Sequence, residues 1–165
     1  MGIFNRNNNT MPTRVSGFSL LEILIVMAIL AIIGAIGSGI YANYGRGIEL
    51  NSVAESVSFD LKLAQSKSMV GEGGFLWGLH FVNGSPQQYY EIFSTPTNYA
   101  DVGKVVVATT TLASSVKFTT PATASSLDII FNKISGSTTG SSVVITNQSG
   151  SKTISVSSVG AITIQ

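Results

Sequence analysis

Cysteine is absent from the 165 residues. Disulfides, thiolate metal sites and cysteine nucleophiles are therefore excluded, and an exported domain of this chain must be held by its core alone. Histidine occurs once, as His80, so a metal centre or a base built on paired imidazoles has no second member. Charge is scarce as well. Asp, Glu, Lys and Arg together make up 10% of the chain, against about a quarter in a usual soluble domain, and the net charge is +1. No whole-protein field points to nucleic acid or to an acidic partner. Past Glu91 the only acids are Asp101 and Asp128, a poor start for a cation that asks for six to eight oxygens.

Gly, Ser and Thr fill the place of the missing charge, which suits a β-rich extracytoplasmic module with many turns. The conspicuous presence is at the N-terminus. Residues 1–17 are polar, carry Arg6 and Arg14 and have no acid, whereas from Phe18 to Gly45 the only charge is Glu22. Ile23 to Ile33 is unbroken apolar sequence, and with Gly34 to Tyr41 the run reaches about 20 residues, the length of a membrane-spanning helix. Arginines ahead of the run put the N-terminus in the cytoplasm and the rest outside. A conventional signal peptide fits poorly, because its small-residue cut site should follow the apolar stretch. Here Gly17 precedes it, and a cut there leaves the anchor on the mature protein. A lone carboxylate at Glu22 costs up to roughly 2.5–3.5 kcal/mol at full membrane depth unless it lies near the interface or finds a partner. Cleavage after Gly17 would supply one, the new α-amino group of Phe18. Paired between neighbouring chains, Glu22 and that amine would also set an axial stagger.

At Arg14-Val15-Ser16-Gly17, followed by Phe18-Ser19-Leu20-Leu21-Glu22-Ile23-Leu24-Ile25-Val26, the chain resembles the prepilin N-terminus of type IV pilins and type II secretion pseudopilins. The resemblance implies cleavage between Gly17 and Phe18 by a prepilin peptidase, N-methylation of Phe18, and an assembly role for Glu22. It implies partners too: other pilin or pseudopilin subunits, the peptidase/methyltransferase, an inner-membrane assembly platform, and membrane lipid before assembly.

Past the membrane the helical period continues through Leu50, Val53, Val57, Leu61 and Ala64 to about Val70, where Gly71, Gly73 and Gly74 stop it. A helix over Phe18–Val70 would be about 53 residues, roughly 80 Å long. Gly34, Gly37, Gly39, Gly45 and Gly47 in its middle cost about 1 kcal/mol each against Ala; close helix packing and local melting are both open as their purpose. From Phe75 the period becomes two. Expected strands are Phe75–Val82, Gln88–Ser94, Lys104–Ala108, Ser115–Thr119, Leu127–Phe131, Ser142–Thr146, Thr153–Ser157 and Ala161–Ile164, separated by Gly/Pro/Asn/Ser turns. Short strands without intervening helices predict an antiparallel sheet whose apolar face the helix stripe covers, an α+β fold.

Asp60 to Ser68, Trp77 to Phe81, Tyr89 to Phe93, and Lys152 to Val156 closing with Gly160 resemble the GspH/FimT minor pseudopilin group, with Gln65 standing where many members carry Arg. Domain boundaries follow: 1–17 leader, 18–45 transmembrane and assembly helix, 46–165 extracytoplasmic domain. The expectation is a non-enzymatic minor pilin or pseudopilin of a pilus or secretion filament, single-pass in the inner membrane, with no cofactor and no metal. His80 reads as a sheet-surface residue, and Trp77, Tyr89, Tyr90, Phe93 and Tyr99 as mostly core. A major pilin is one alternative. A DNA-binding competence pilin is another, although Lys104, Lys117, Lys133 and Lys152 are dispersed and the tail after Lys152 carries no cation.

Overall fold

The computed structural model describes residues 17–165, and of residues 37–40 and 42 the backbone alone. The leader expectation for residues 1–16, with Arg6 and Arg14, lies outside the described residues. The chain divides into two compact units, one ending at Gly39 and the other spanning Ile40–Gln165.

One helix, α1 (Leu20–Val70), runs 51 residues and is continuous through its glycines. It starts two residues later than expected, because the Ser19 carbonyl is the first acceptor, taking bonds from the Glu22 and Ile23 amides at 3.0 and 3.2 Å. It stops where Gly71 enters the left-handed region at φ 71°, which a glycine does without steric cost. A single 3-10 turn, Glu72–Gly74, follows, and the sequence pattern had not separated it from the helix-stop glycines.

Eight strands complete the second unit: β1 (Leu76–Asn83), β2 (Gln88–Thr95), β3 (Val105–Thr111), β4 (Lys117–Thr120), β5 (Ser125–Phe131), β6 (Ser141–Asn147), β7 (Gly150–Val156) and β8 (Ile162–Ile164). They form two four-stranded sheets, not one: β3-β2-β1-β5 and β4-β6-β7-β8. Every pairing is antiparallel. The single-sheet expectation fails at β5, which passes over β4 to pair with β1, matching Leu79 with Ile129 and Trp77 with Phe131. That leaves β4 to pair with β6, Phe118 facing Ile145.

The reason for the split lies in the apolar residues. Leu79, Phe81, Tyr90, Ile92, Ile129 and Phe131 turn inward from the first sheet, and Phe118, Val143, Ile145, Ile154 and Val156 from the second. Both sets meet the α1 stripe of Leu50, Ala54, Val57, Leu61 and Ala64, all buried. Burial of this kind contributes about 25 cal/mol per Å² of apolar surface and is the main term holding the unit together. At the far end of the stripe, Gln65 donates from Nε2 to the carbonyls of Gly136 and Gly160, at 3.0 and 2.9 Å. Gly160 sits at φ 87°, and a Cβ there would run into the Gly136 carbonyl and the Gln65 amide. Gln65 thus ties the helix to two loops. Nearby, Ser68 donates to the Phe131 carbonyl at 2.6 Å, fastening the same turn of α1 to β5.

Candidate functional site

The residues expected to be processed lie in extended chain ahead of α1. Gly17 is exposed, and a Cβ built on it would meet nothing within 4 Å. Its lack of a side chain is not required by packing in this chain. Phe18 is 78% exposed although it is a large apolar residue. Only Ser19 separates it from the first helical residue. Glu22 falls in the first turn of α1, where the helix dipole favours a carboxylate. A positive α-amino group at Phe18 would face the positive end of the same dipole, and the carboxylate a turn away offsets that repulsion.

Apart from Glu22, the stretch from Leu20 to Ile36 has no polar face. Leu20, Leu21, Ile23, Leu24, Ile25, Val26, Met27, Ile29, Leu30, Ile32, Ile33 and Ile36 are each about half exposed or more. Successive residues of an α-helix are 100° apart, so this set covers the whole circumference. A helix that is apolar all round has to be buried by something outside itself. Among the described residues no helix is long and apolar enough to cross a membrane. The span expected over 18–45 takes in residues 37–40 and 42, whose side chains lie outside the described residues.

A family model described as the prokaryotic N-terminal methylation motif matches residues 12–38. The chain carries that motif. It supports a type IV pilin-like protein, processed and methylated at its N-terminus, that works with a prepilin peptidase and with other pilin subunits. The motif includes Gly17, Phe18 and Glu22 and runs on into the apolar part of α1. No curated protein and no solved structure matches the chain.

The second unit holds one polar cluster that sequence reasoning missed. His80 is not a sheet-surface residue as expected; it is 7% exposed. Its Nδ1 lies 2.5 Å from Oδ1 of Asp128, the residue directly opposite on β5. The Tyr99 ring stacks flat on the imidazole with centroids 3.5 Å apart, and Lys104 sits over the same tyrosine ring at 3.4 Å. Tyr99 also donates its hydroxyl to Glu91 at 2.6 Å and packs edge-on against Phe93. The segment between β2 and β3 is thereby strapped across the outer face of the first sheet. Burial, and then the bond to Glu91, push the Tyr99 phenol well above the ordinary tyrosine value. Thr97 and the Gly103 amide, both donating to Asp101, hold that carboxyl below its ordinary value.

The two acids past Glu91 are thus separated: Asp128 meets His80, and Asp101 stays in the strap. The His80–Asp128 couple gives the Tyr99 ring a flat surface to stack on. Trp77, Tyr90 and Phe93 are buried as expected. The four lysines considered for DNA lie on two strands and in two connecting segments. Lys104 is taken by Tyr99, Lys133 donates to the Gly74 carbonyl, and Lys117 and Lys152 lie on β4 and β7.

Proposed function

We propose that this chain is a minor pilin or pseudopilin: a filament subunit made as a precursor, cut between Gly17 and Phe18, methylated on the Phe18 amine, and assembled through the apolar part of α1. The observation that carries the reading is the union of two features on one segment. The methylation motif covers 12–38, and the helix it opens is apolar on every side from Leu20 to Ile36. Before assembly that surface is covered by lipid, with the N-terminus cytoplasmic, the remainder of the chain extracytoplasmic, and an inner-membrane platform receiving it. After assembly it is covered by the same helix of neighbouring subunits. Glu22 then pairs with the positive Phe18 amine of a neighbour, which fixes register because a buried unpaired carboxylate is costly. Membership of the GspH/FimT group is supported by the pattern Asp60 to Ser68 and the strand motifs after Trp77. No chemistry is required of the second unit, which presents strands and loops to other subunits or cargo.

The test is Glu22→Ala in the full chain. Membrane insertion and removal of residues 1–17 should persist, while recovery in sheared filaments should drop at least tenfold. Normal incorporation of the variant would remove the register role.

A further inference from the structure

A sheet edge is a row of unpaired N–H and C=O groups, and proteins usually blunt it. Three of the four edges here are blunted. β8 is 3 residues long and β4 is 4, and β5 carries a charge at its centre, Asp128. β3 is different. It runs 7 residues, every one exposed, and the sequence from Val105 to Val116 holds no charged residue and no proline.

The hydrogen-bonding sense of β3 can be read from its end. The Leu112 amide donates to the Gln88 carbonyl on the β2 side at 2.9 Å. Antiparallel strands alternate, so Thr110 and Ala108 also point their backbone groups at β2, while Thr109 and Thr111 point theirs outward to the free edge. From Ala108 to Thr111 the register with β2 is regular, and the irregularity comes before it, at Val107. The free edge therefore offers a straight segment centred on Thr110.

We propose that this edge pairs antiparallel with β3 of a second copy of the chain, Thr110 facing Thr110 of the second copy on a two-fold axis. Thr109 then lies opposite Thr111 and Thr111 opposite Thr109, so outward N–H and C=O groups meet in two reciprocal pairs. All three positions match threonine with threonine, a favourable cross-strand pair. With no charge along the strand, self-pairing sets no like charges opposite one another. The two-fold stands perpendicular to the sheet and brings both α1 helices to one side. There Phe59, 66% exposed, flanks the groove beside Thr110 and gains cover. An isologous contact closes after two copies, so it does not propagate a filament and leaves Leu20–Ile36 free for its own contact.

The chain has no cysteine, so a single introduced thiol reports without background. Facing residues at a non-hydrogen-bonded position lie about 4.5 Å apart at Cα, within the range a disulfide bridges. Full-length Thr110→Cys, oxidised in the membranes that hold it, should run as a disulfide dimer of this chain, at least tenfold above Thr109→Cys. Thr111→Pro removes an outward N–H that the fold does not use and should cut the Thr110→Cys dimer at least fivefold. Should that variant fold poorly by circular dichroism, Thr109→Lys with Thr111→Lys tests the same point, since it sets lysine opposite lysine at exposed positions. Absence of the Thr110→Cys dimer, equal yield from Thr109→Cys, or a disulfide to another protein would each overturn the pairing. Because the dimer is read on precursor and processed chain alike, failure here leaves the processing at Gly17 untouched.

Discussion

Two stretches of the same helix, Leu20–Ile36 and Leu50–Ala64, solve the problem of apolar surface in opposite ways. In the second, buried residues recur at three- and four-residue steps, and Glu49, Glu55 and Lys62 lie off the buried stripe. Its burial is complete within the chain: Val57, Leu61 and Ala64 are 0% exposed. In the first there is no period and no polar face, and not one of the described side chains is buried. Sequence of the second kind specifies a fold. Sequence of the first kind specifies an environment that the chain does not itself contain.

One substitution made twice breaks this comparison most sharply. Leu61→Ala removes a fully enclosed side chain and should cost the second unit about 2–5 kcal/mol, read by denaturant unfolding followed through Trp77 fluorescence. Leu24→Ala removes the same atoms from an exposed site and should change that transition by less than about 0.5 kcal/mol. Its effect should appear instead in membrane retention and filament yield. Comparable destabilisation by both variants would mean that the first stretch is packed inside the fold after all.

A smaller effect tests the anchoring of the stripe's far end. Gly160→Ala should cost about 1–3 kcal/mol, since the new methyl group collides with the Gly136 carbonyl and the Gln65 amide. Gly17→Ala, with open space around it, should leave unfolding unchanged. A neutral Gly160→Ala would indicate that the loops yield easily and that Gln65 contributes little.

Much of the fold was legible because punctuation and period agreed. The glycines at 71, 73 and 74 end α1 where the periodicity ends, and seven of the eight strands begin within two residues of their expected starts. β5 begins at Ser125, two residues ahead of Leu127, and β7 begins at Gly150, three residues ahead of Thr153. β3 extends to Thr111, past the expected Ala108, because a threonine run reads as polar loop although its β-branched side chains favour extended backbone. The two-sheet division was not legible. It depends on β5 choosing β1 over its sequence neighbour β4, a non-local decision that leaves no local pattern. The His80–Asp128–Tyr99 cluster was hidden for the same reason: its members are far apart in sequence, and the strap carrying Tyr99 has no periodicity. At the N-terminus the reverse holds. The motif is local and contiguous, so its resemblance to prepilin N-termini rests on adjacent residues.

The smallest expected effect is on pH dependence, and it concerns the second unit only. Burial, followed by the hydrogen bond to Asp60, raises the Tyr90 phenol well above its ordinary value near 10. A phenol with a raised folded-state value contributes stability that is fully present below the unfolded value and is lost as pH climbs from there toward the folded one. Unfolding stability should therefore decline above about pH 10. Tyr90→Phe should flatten that decline while lowering stability at neutral pH, because the bond to Asp60 is gone. An unchanged alkaline slope in the variant would assign the decline to other groups.

The account rests on the fate of the bond between Gly17 and Phe18. The direct measurement is intact-mass and N-terminal peptide mass spectrometry of the full chain, expressed with a prepilin peptidase and purified from membranes. The predicted result is a mature chain that begins at Phe18, carries one methyl group on its α-amine, and keeps the whole of α1. A chain that retains residues 1–17, or one cut on the far side of the apolar run so that Leu20–Ile36 is lost, would contradict it.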